Sequence, residues 1–262
     1  MILVYGARGL VGQHLMALLG NRAIASNADI TDQSAVTAEI QAVAPMLVFL
    51  AAAYTDVDGC ERDPARSWNV NVVAVKYIAI QVPHVVFFST DYVFDGKAGP
   101  YYRADLTNPI SVYGRHKLAA EHFLLAQEPT SLIIRATQIF GTDPRRKNFV
   151  YQVVDALSAG KPFLVAVDQH GTPTYAPWLA NFAFDAIMRG EVGILHAAHS
   201  SMLNRYEFAK LIAARFKLDA SLLKPCFTRD LHQVAPRPLK GGVYGHLSST
   251  NGLMRALEDM QL

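Results

Sequence analysis

The stretch MILVYGARGLVG, residues 1–12, decides the fold, because a short apolar run leads directly into three closely spaced glycines. Met1–Tyr5 is rich in large apolar residues, which predicts a buried strand. Gly6, Gly9 and Gly12 then open a segment with helical spacing. This order is typical of a dinucleotide-binding βα unit, in which backbone N–H groups approach a pyrophosphate at the helix N-terminus. The same spacing also occurs in ordinary strand-to-helix turns, so its place at the first βα junction carries the prediction.

The same alternation continues along the chain. Short apolar runs at Leu47–Leu50, Val85–Phe88 and Leu132–Arg135 predict further buried strands. Because strands alternate with helical segments, the sequence predicts an α/β fold, a Rossmann-like doubly wound parallel sheet with a smaller C-terminal substrate lobe. The predicted helices between the strands are Val11–Leu19, Gln33–Val43, Ala65–Ile80 and Tyr113–Ala126.

The composition of the sequence changes after Gly141, where the segment Thr142–Asn148 is polar and basic. Lys224–Gly245 is rich in proline and glycine, as irregular segments are. We therefore expect an NAD(P)-binding domain at 1–145 plus roughly 175–197, and a substrate lobe formed by 146–174 and 198–262.

Composition excludes several classes of protein. The 262 residues carry 24 Lys+Arg against 22 Asp+Glu, a net charge of +2, which lacks the basic excess expected of a nucleic-acid-binding protein. The apolar stretch Pro45–Tyr54 is about half of the ~20 residues needed to cross a bilayer, so no membrane association is expected. The N-terminus does not resemble a secretory signal, and two cysteines are too few for a disulfide scaffold. A cytoplasmic location is the simplest expectation.

The choice of dinucleotide depends on the charges near the second predicted strand. Asp29 and Asp32 lie roughly where a ribose-binding carboxylate is expected, but Asn21–Ala28 is short for a full strand and loop. Arg8 and Arg22 are alternatives, since guanidinium groups bind a 2′-phosphate through paired hydrogen bonds. The sequence therefore favours NADPH and leaves NADH open.

Tyr113 and Lys117 stand four residues apart in SVYGRHK, so both side chains emerge on one face of the predicted helix. A lysine ammonium beside a phenol favours phenolate and is expected to lower the tyrosine pKa from its usual ~10. Tyr113 is therefore a candidate proton donor to a carbonyl group.

A second pair with the same spacing, Tyr206 and Lys210, shows that the spacing alone is unspecific. Context separates the two pairs. Ser89–Thr90 follows the VVFF strand upstream of Tyr113, which places hydroxyls at the carboxyl end of a sheet strand, where open α/β sheets bind ligands. We expect Tyr206 and Lys210 to lie on an ordinary surface helix.

Taken together, these motifs resemble the extended short-chain dehydrogenase/reductases, and within them the dTDP-4-dehydrorhamnose reductase (RmlD-like) family. The resemblance covers nearly the whole chain. The STDYVFDG segment followed by a YxxxK helix is its most specific part. The matching segments, in chain order, are GARGLVG, AAAYTDVDGCE, FFSTDYVFDG, YGRHKLAAE, DQHGTPT and the RP at 237–238.

The resemblance implies a catalytic set in which Thr90 hydrogen-bonds the substrate carbonyl, Tyr113 protonates its oxygen and Lys117 holds the nicotinamide ribose. Together with the glycine turn, it assigns cofactor binding to Gly6, Arg8, Gly9, Leu10, Val11, Gly12, Asp29, Ile30, Ala51, Ala52, Ala53, Asn71, Ser89, Tyr113 and Lys117. Substrate binding falls to Tyr92, Gln138, Gln169, Thr174 and Arg237, with Gln138 standing where the family typically has a sugar-packing tryptophan.

The resemblance also selects a reaction. Related dehydratases have an Asp-Glu pair after the threonine, whereas Asp91 is followed here by Tyr92, and Cys60 and Cys226 do not lie where the epimerase-reductases have a cysteine. What remains is NAD(P)H-dependent reduction of the 4-keto group of a nucleotide-activated 6-deoxyhexose. The expected reaction is dTDP-4-dehydrorhamnose to dTDP-rhamnose or a close relative, in cell-surface polysaccharide or deoxysugar biosynthesis. The alternative is a non-catalytic NADP-binding regulatory subunit, as in the methionine adenosyltransferase β-subunit.

Three smaller expectations complete the interpretation. His14 stands where some family members have an acidic metal ligand, so no metal is expected. The basic run Arg145–Lys147 is expected to be a solvated loop, with contact to a substrate diphosphate as the alternative. The only partner required is the small-molecule sugar nucleotide, and the sequence allows a homodimer without specifying one.

Overall fold

Short apolar segments form the strands of an α/β fold in the computed structural model, which describes residues 1–245 and 250–260. The segments that the sequence marked as buried runs are strands, and shorter strands follow in the second half of the chain. In chain order, the strands are β1 (Ile2–Tyr5), β2 (Ala23–Ala25), β3 (Leu47–Leu50), β4 (Val85–Thr90), β5 (Leu132–Ala136), β6 (Ile139–Phe140), β7 (Phe163–Ala166), β8 (His170–Gly171), β9 (Thr174–Tyr175), β10 (Gly193–His196), β11 (Leu203–Asn204) and β12 (Leu223–Cys226).

The helices lie between these strands, and none in the described part of the chain has both the length and the apolar character that crossing a bilayer requires. The helix predicted over Ala65–Ile80 is interrupted by a π turn at Asn69–Val73. The helices are α1 (Leu10–Leu19), α2 (Gln33–Val43), α3 (Val57–Arg62), α4 (Pro64–Trp68), α5 (Ala74–Ala79), α6 (Val112–Gln127), α7 (Phe149–Ser158), α8 (Ala176–Met188), α9 (Arg205–Arg215) and α10 (Thr250–Asp259).

The central sheet has six parallel strands in the order β10-β5-β4-β3-β1-β2. The chain passes from β1 to β2 at one edge and then returns to β3 on the other side of β1. Helices cover both faces: α2, α5 and α6 pack on one, and α1 and α8 on the other. Ligands of such sheets bind at the carboxyl ends of the strands, where the strand order reverses. This topology places the candidate site at the ends of β1, β3 and β4.

The second strand is the element for which the sequence left least room. It is a three-residue edge strand, β2, paired in parallel with β1. An edge strand needs only one partner, so three residues are enough to extend the sheet.

A second hydrophobic core lies outside the main sheet. It joins α7, α9 and α10 with the β7–β12 pair, and its largest fully buried side chains are Phe140, Tyr151 and Phe208. Fully burying an apolar side chain stabilises a fold by ~1.5–3 kcal/mol, so this cluster has its own packing energy.

Residues 234–245, called here the C-terminal strap, cross the loop that follows β4. Backbone hydrogen bonds join the two segments, from Gly99 N to Lys240 O (3.0 Å) and from Tyr101 N to Gly242 O (3.0 Å). Tyr244 N returns a bond to Tyr101 O (2.9 Å). The strap thus brings a late segment of the chain to the loop that follows β4, beside the candidate site.

Candidate active site

The glycine turn after β1 packs so closely that its glycines have no room for side chains. Gly6 has a φ of +76°, and a Cβ there would lie 2.5 Å from the Ala52 backbone nitrogen. A Cβ on Gly12 would overlap the Gly6 carbonyl oxygen. α1 begins at Leu10 with Gly9 as its N-cap, and no side chain caps it. Its first backbone N–H groups therefore lack a side-chain acceptor and suit an anion.

The predicted cofactor residues near the end of β2 have different surroundings. The exposed Arg8 guanidinium donates to Asn27 Oδ1 at 2.7 Å. The Asp29 carboxylate accepts from the backbone and hydroxyl of Thr31, which lowers its pKa, and Ile30 is buried in the core. A side chain that is exposed at this edge can meet a ribose or its phosphate, whereas Ile30 can do so only through its backbone.

Arg22 lies elsewhere than the sequence suggested. Its guanidinium donates to the carbonyl oxygens of Leu18 and Leu19 at the end of α1, and it lies 4.9 Å from the centre of the Phe184 ring. The side chain therefore binds the free carbonyls of a helix C-terminus. This leaves Arg8 as the candidate for the cofactor phosphate.

Ala51, Ala52 and Ala53 follow β3, and Asn71 supports the segment after them. The Asn71 amide accepts from Tyr54 N and donates to Tyr54 O, both at 3.0 Å, and it is almost fully buried. Its side chain thus shapes the strand end that the sequence assigned to the cofactor.

Ser89 and Thr90 end β4, and their side chains point to opposite faces because a strand alternates. The Ser89 hydroxyl donates to Glu121 in a short hydrogen bond on the buried side. The Thr90 hydroxyl accepts from Tyr92 N at 3.2 Å and contacts Tyr113, lowering the pKa of its phenol. Thr90 therefore faces the candidate site, and the Ser89 hydroxyl faces the core.

Burial dominates the electrostatics of Tyr113. Its pKa is raised well above the ordinary value of 10.0 by burial, and further by Cys60, Tyr92 and Asp91. The Tyr92 ring meets it edge to face, with ring centres 5.8 Å apart. A phenol with a raised pKa keeps its proton at neutral pH, which is the state that a proton donor requires.

The expected lowering of the Tyr113 pKa by Lys117 is not found. Lys117 Nζ donates instead to Phe88 O at 2.7 Å and lies 3.7 Å from the centre of the Phe87 ring. Burial lowers the pKa of Lys117 itself to about 7, although Glu121 acts in the opposite direction. The sequence placed both groups correctly on one helix face but could not show where the ammonium would point.

The Lys117 environment includes a buried ion pair that the sequence analysis missed. Glu121, one turn further along α6, accepts two hydrogen bonds from Arg135 Nε (3.0 and 3.2 Å) and one from its Nη2 (2.6 Å). Both side chains are buried. The sequence signal was weak, because Arg135 is a charged residue inside an apolar strand but Glu121 is one of several charged residues on α6.

Asp91, also missed, connects the site to the C-terminal strap. Its carboxylate accepts from Gly242 N at 2.8 Å and from the Thr90 hydroxyl at 3.3 Å. Burial raises its pKa, against the effect of these hydrogen bonds.

The structure brings together some of the predicted substrate residues. Tyr92 and Arg237 lie near each other, and Arg237 lowers the Tyr92 pKa against the larger raising effect of burial. Gln169 is buried and donates to Gln233 Oε1 at 2.9 Å. Gln138 has a φ of +45°, and its amide lies against Gly171, where a Cβ would overlap it.

Thr174 is placed differently from the expectation. It is fully buried, and its hydroxyl is within hydrogen-bonding distance of the carbonyl oxygens of Ala197 (3.2 Å) and Thr172 (3.4 Å). Its hydroxyl is used inside the protein, so the side chain is not available to a substrate.

Arg237 is held by Asp58, which the sequence analysis did not select. Arg237 Nη2 donates to Asp58 Oδ1 at 2.8 Å, and the same oxygen accepts from Val234 N and Ala235 N. Burial acts to raise the Asp58 pKa, but these donors lower it below its ordinary value. Asp58 thus fixes the start of the strap.

The part of the chain described by the structure contains no group of three or more metal-ligating side chains. His14 is partly buried, which lowers its pKa. The expectation of no metal stays a prediction.

The chain is similar to known proteins over nearly its whole length. The family described as "RmlD substrate binding domain" matches residues 1–254. The dTDP-4-dehydrorhamnose reductase of Mycobacterium tuberculosis is 33% identical over 279 residues, covering 99% of this chain and 88% of that protein.

Solved structures agree with the predicted Rossmann-like α/β fold, which is confirmed. A dTDP-4-dehydrorhamnose reductase of Clostridium acetobutylicum superposes with a TM-score of 0.91 at 28% identity, covering 98% of both chains. That of Bacillus anthracis, in complex with NADP, has a TM-score of 0.87 at 25% identity, covering 99% of this chain and 93% of the other.

Proposed function

This chain belongs to the RmlD substrate binding domain family, and on that premise we propose that it is an NADPH-dependent sugar-nucleotide 4-ketoreductase. Its substrate is dTDP-4-dehydrorhamnose or a close relative. The observation that carries the proposal is the position of Thr90 and Tyr113, which lie in contact at the carboxyl end of β4. Only β3 separates β4 from β1, the strand that leads into the glycine turn.

The residues present fit NADPH. The turn leaves no space for side chains at Gly6 and Gly12, so backbone can approach a pyrophosphate closely, and Arg8 supplies an exposed guanidinium. We assign the pyrophosphate to the three glycines and the 2′-phosphate to Arg8. When bound, NADPH supplies the hydride that reduces a ketone.

The chain's own residues supply the proton and orient the ketone. Thr90 donates a hydrogen bond to the carbonyl oxygen, and Tyr113 transfers its proton to the same oxygen as negative charge develops there. The raised pKa of Tyr113 keeps this proton in place until the carbonyl becomes basic. We assign the nicotinamide ribose to Lys117, one turn further along α6, whose ammonium uses one N–H for Phe88 O and keeps two more to donate.

Two features favour reduction over dehydration. Dehydration needs a carboxylate that removes a proton next to the ketone, and Tyr92 stands where the dehydratases have a glutamate. Asp91 does not replace it, because its carboxylate is buried and accepts from Gly242 N. The site thus has a proton donor, and neither of the two residues after Thr90 supplies a free carboxylate base.

The regulatory-subunit alternative is not favoured, because curated relatives such as that of Mycobacterium tuberculosis are named as reductases and the relatives match over nearly the whole chain.

We also propose the domain division given above, a homodimer compatible with the small-molecule substrate, no nucleic-acid partner, and a cytoplasmic location. The free thiols of Cys60 and Cys226 agree with a reducing compartment.

The test is consumption of NADPH, followed by absorbance, with dTDP-4-dehydro-6-deoxyhexose generated in the assay and NADH in a parallel cuvette. We expect NADPH to be oxidised and a dTDP-deoxyhexose to accumulate. Binding of NADPH without turnover on any keto-sugar nucleotide would contradict the proposal and favour the regulatory subunit.

A further inference from the structure

Arg205, the first residue of α9, carries a cation that the protein does not neutralise. Its guanidinium has no hydrogen-bond or ion-pair partner among the described residues, and its one side-chain contact of note is with the Phe149 ring, 4.7 Å from its centre. The side chain is partly buried, so this charge is not simply solvated. An unpaired cation in a partly buried position is stabilised when an anion joins it.

The other arginines on this side of the molecule have partners. Arg237 pairs with Asp58, Arg145 with Asp143, and Arg146 with Asp155. The basic run that the sequence offered for a diphosphate is therefore largely occupied by its own carboxylates. Arg205 lacks such a carboxylate.

The position of Arg205 relates it to the substrate side of the site. Its backbone N–H donates to Gln169 O at 2.9 Å, next to the strand pair β8–β11. Its charge acts on Tyr92, lowering the pKa of that phenol, and Arg237 acts on Tyr92 in the same direction.

The charged groups that act on Arg205 are Asp91 and Arg237. Burial lowers the Arg205 pKa, Tyr92 and Asp91 act to raise it, and Arg237 lowers it further. Asp91 already accepts from Gly242 N and Thr90, and Arg237 is already paired. An incoming anion would satisfy Arg205 without displacing a partner.

We propose that Arg205 binds the diphosphate of the sugar-nucleotide substrate. This inference rests on the proposed function, in which the diphosphate is the anionic group of the substrate and the hexose ring is neutral. Thr90 and Tyr113 take the ketone at one end of the ring, and Arg205 takes the phosphate oxygens beyond the other end, with Phe149 supporting the plane of the guanidinium. A guanidinium suits this role because it donates two parallel hydrogen bonds to phosphate oxygens.

The test measures binding without turnover, by calorimetric titration of the NADPH-saturated protein with dTDP and, separately, with thymidine. We expect Arg205→Met to weaken dTDP binding by about 10- to 100-fold, the range for a hydrogen bond to a charged group. Thymidine binding and the NADPH affinity should stay as in the wild type. Lys210→Met removes an exposed charge from the same helix and should change dTDP affinity by less than about 2-fold.

Two results would overturn the inference: unchanged dTDP affinity in Arg205→Met, or an equal loss of dTDP and thymidine binding, which would indicate a general change of the pocket. If Arg205→Met does not fold, Arg205→Gln takes its place with the same two criteria. If the wild type reduces no keto sugar while Arg205→Met selectively loses dTDP binding, the ketoreductase assignment fails and the contact of Arg205 with a nucleoside diphosphate stands. If turnover occurs and dTDP affinity is unchanged, this inference alone fails.

Discussion

The glycine turn and the C-terminal strap border the same site but are held in opposite ways. The turn is held by its own backbone, with Gly9 N donating to Gly6 O at 2.8 Å. The strap has backbone hydrogen bonds to the loop after β4 and is held in addition by distant carboxylates, since Arg237 and Asp58 are 179 residues apart and Gly242 and Asp91 are 151 apart. The cofactor side thus depends on close backbone packing, and the substrate side depends on buried charge. Substitutions in and between these two regions should therefore affect turnover, stability and substrate affinity to different degrees.

The largest effect is expected at the catalytic edge between these two regions. Tyr113→Phe removes the proton donor and little else, so turnover should fall by about 10²–10⁴-fold while NADPH affinity stays near the wild-type value. NADPH consumption and NADPH fluorescence measure the two quantities. Tyr206→Phe is the matched control, because Tyr206 and Lys210 have the same spacing on α9.

Near-normal turnover in Tyr113→Phe would show that another group donates the proton. A comparable loss of turnover in Tyr206→Phe would show that the position of Tyr113 beside Thr90 does not distinguish it from Tyr206.

The second prediction concerns the buried ion pair between Glu121 on α6 and Arg135 on β5. Glu121→Gln leaves the Arg135 guanidinium buried without its carboxylate, and breaking one side of such a pair costs about 3–5 kcal/mol of folding free energy. Urea unfolding measures this loss. Glu191→Gln, which removes an exposed partner of Arg189, should cost less than about 1 kcal/mol. A similar small loss in both variants would mean that burial of the pair has no energetic weight.

The contrast between the two regions also explains what the sequence could predict. The strands, the glycine turn and the Tyr113 helix follow from local patterns, because apolar periodicity and glycine spacing act over a few residues. Their bounds agree with the structure within a few positions, from β1 (Ile2–Tyr5) to α6 (Val112–Gln127).

The partners of the charged residues could not be predicted in the same way. The residues around Asp58 do not indicate an ion pair with Arg237. Those around Glu121 do not indicate an ion pair with Arg135, which lies on a different element. Side-chain direction was equally hidden: Lys117 turns to a backbone carbonyl of β4, and the Thr174 hydroxyl lies inside the core. Long-range contacts depend on the packed fold, which a single sequence does not display.

The third prediction uses a buried histidine at the far edge of the sheet. Burial lowers the pKa of His196 to about 4, Arg135 and Arg103 lower it further, and backbone groups of Tyr101 and Tyr244 partly offset this. The unfolded chain takes up the proton below its ordinary pKa of 6.5 and the folded protein only near 4, so stability is lost as the pH falls through this window. The shift corresponds to roughly 3 kcal/mol.

Urea unfolding at several pH values between 7 and 4 measures this contribution. In His196→Gln the loss should be smaller by about that amount, whereas His84→Gln, at an exposed position, should follow the wild type. Parallel curves for the wild type and His196→Gln would contradict the assignment.

The smallest effect is expected at the start of the strap, where Arg237 pairs with Asp58. Asp58→Asn removes the charge that pairs with Arg237 but keeps an oxygen that can accept from Val234 N and Ala235 N, so the strap should stay in place while Arg237 loses its fixed direction. The KM for the sugar nucleotide should rise by about 5- to 20-fold, less than for the loss of a whole hydrogen bond to a charged group, because the amide oxygen remains as an acceptor. The kcat and the NADPH affinity should change little. Asp63→Asn, which alters only the cap of α4, is the control. A fall in kcat at unchanged KM would place Arg237 at the reacting end of the substrate and would remove the separation between the two regions.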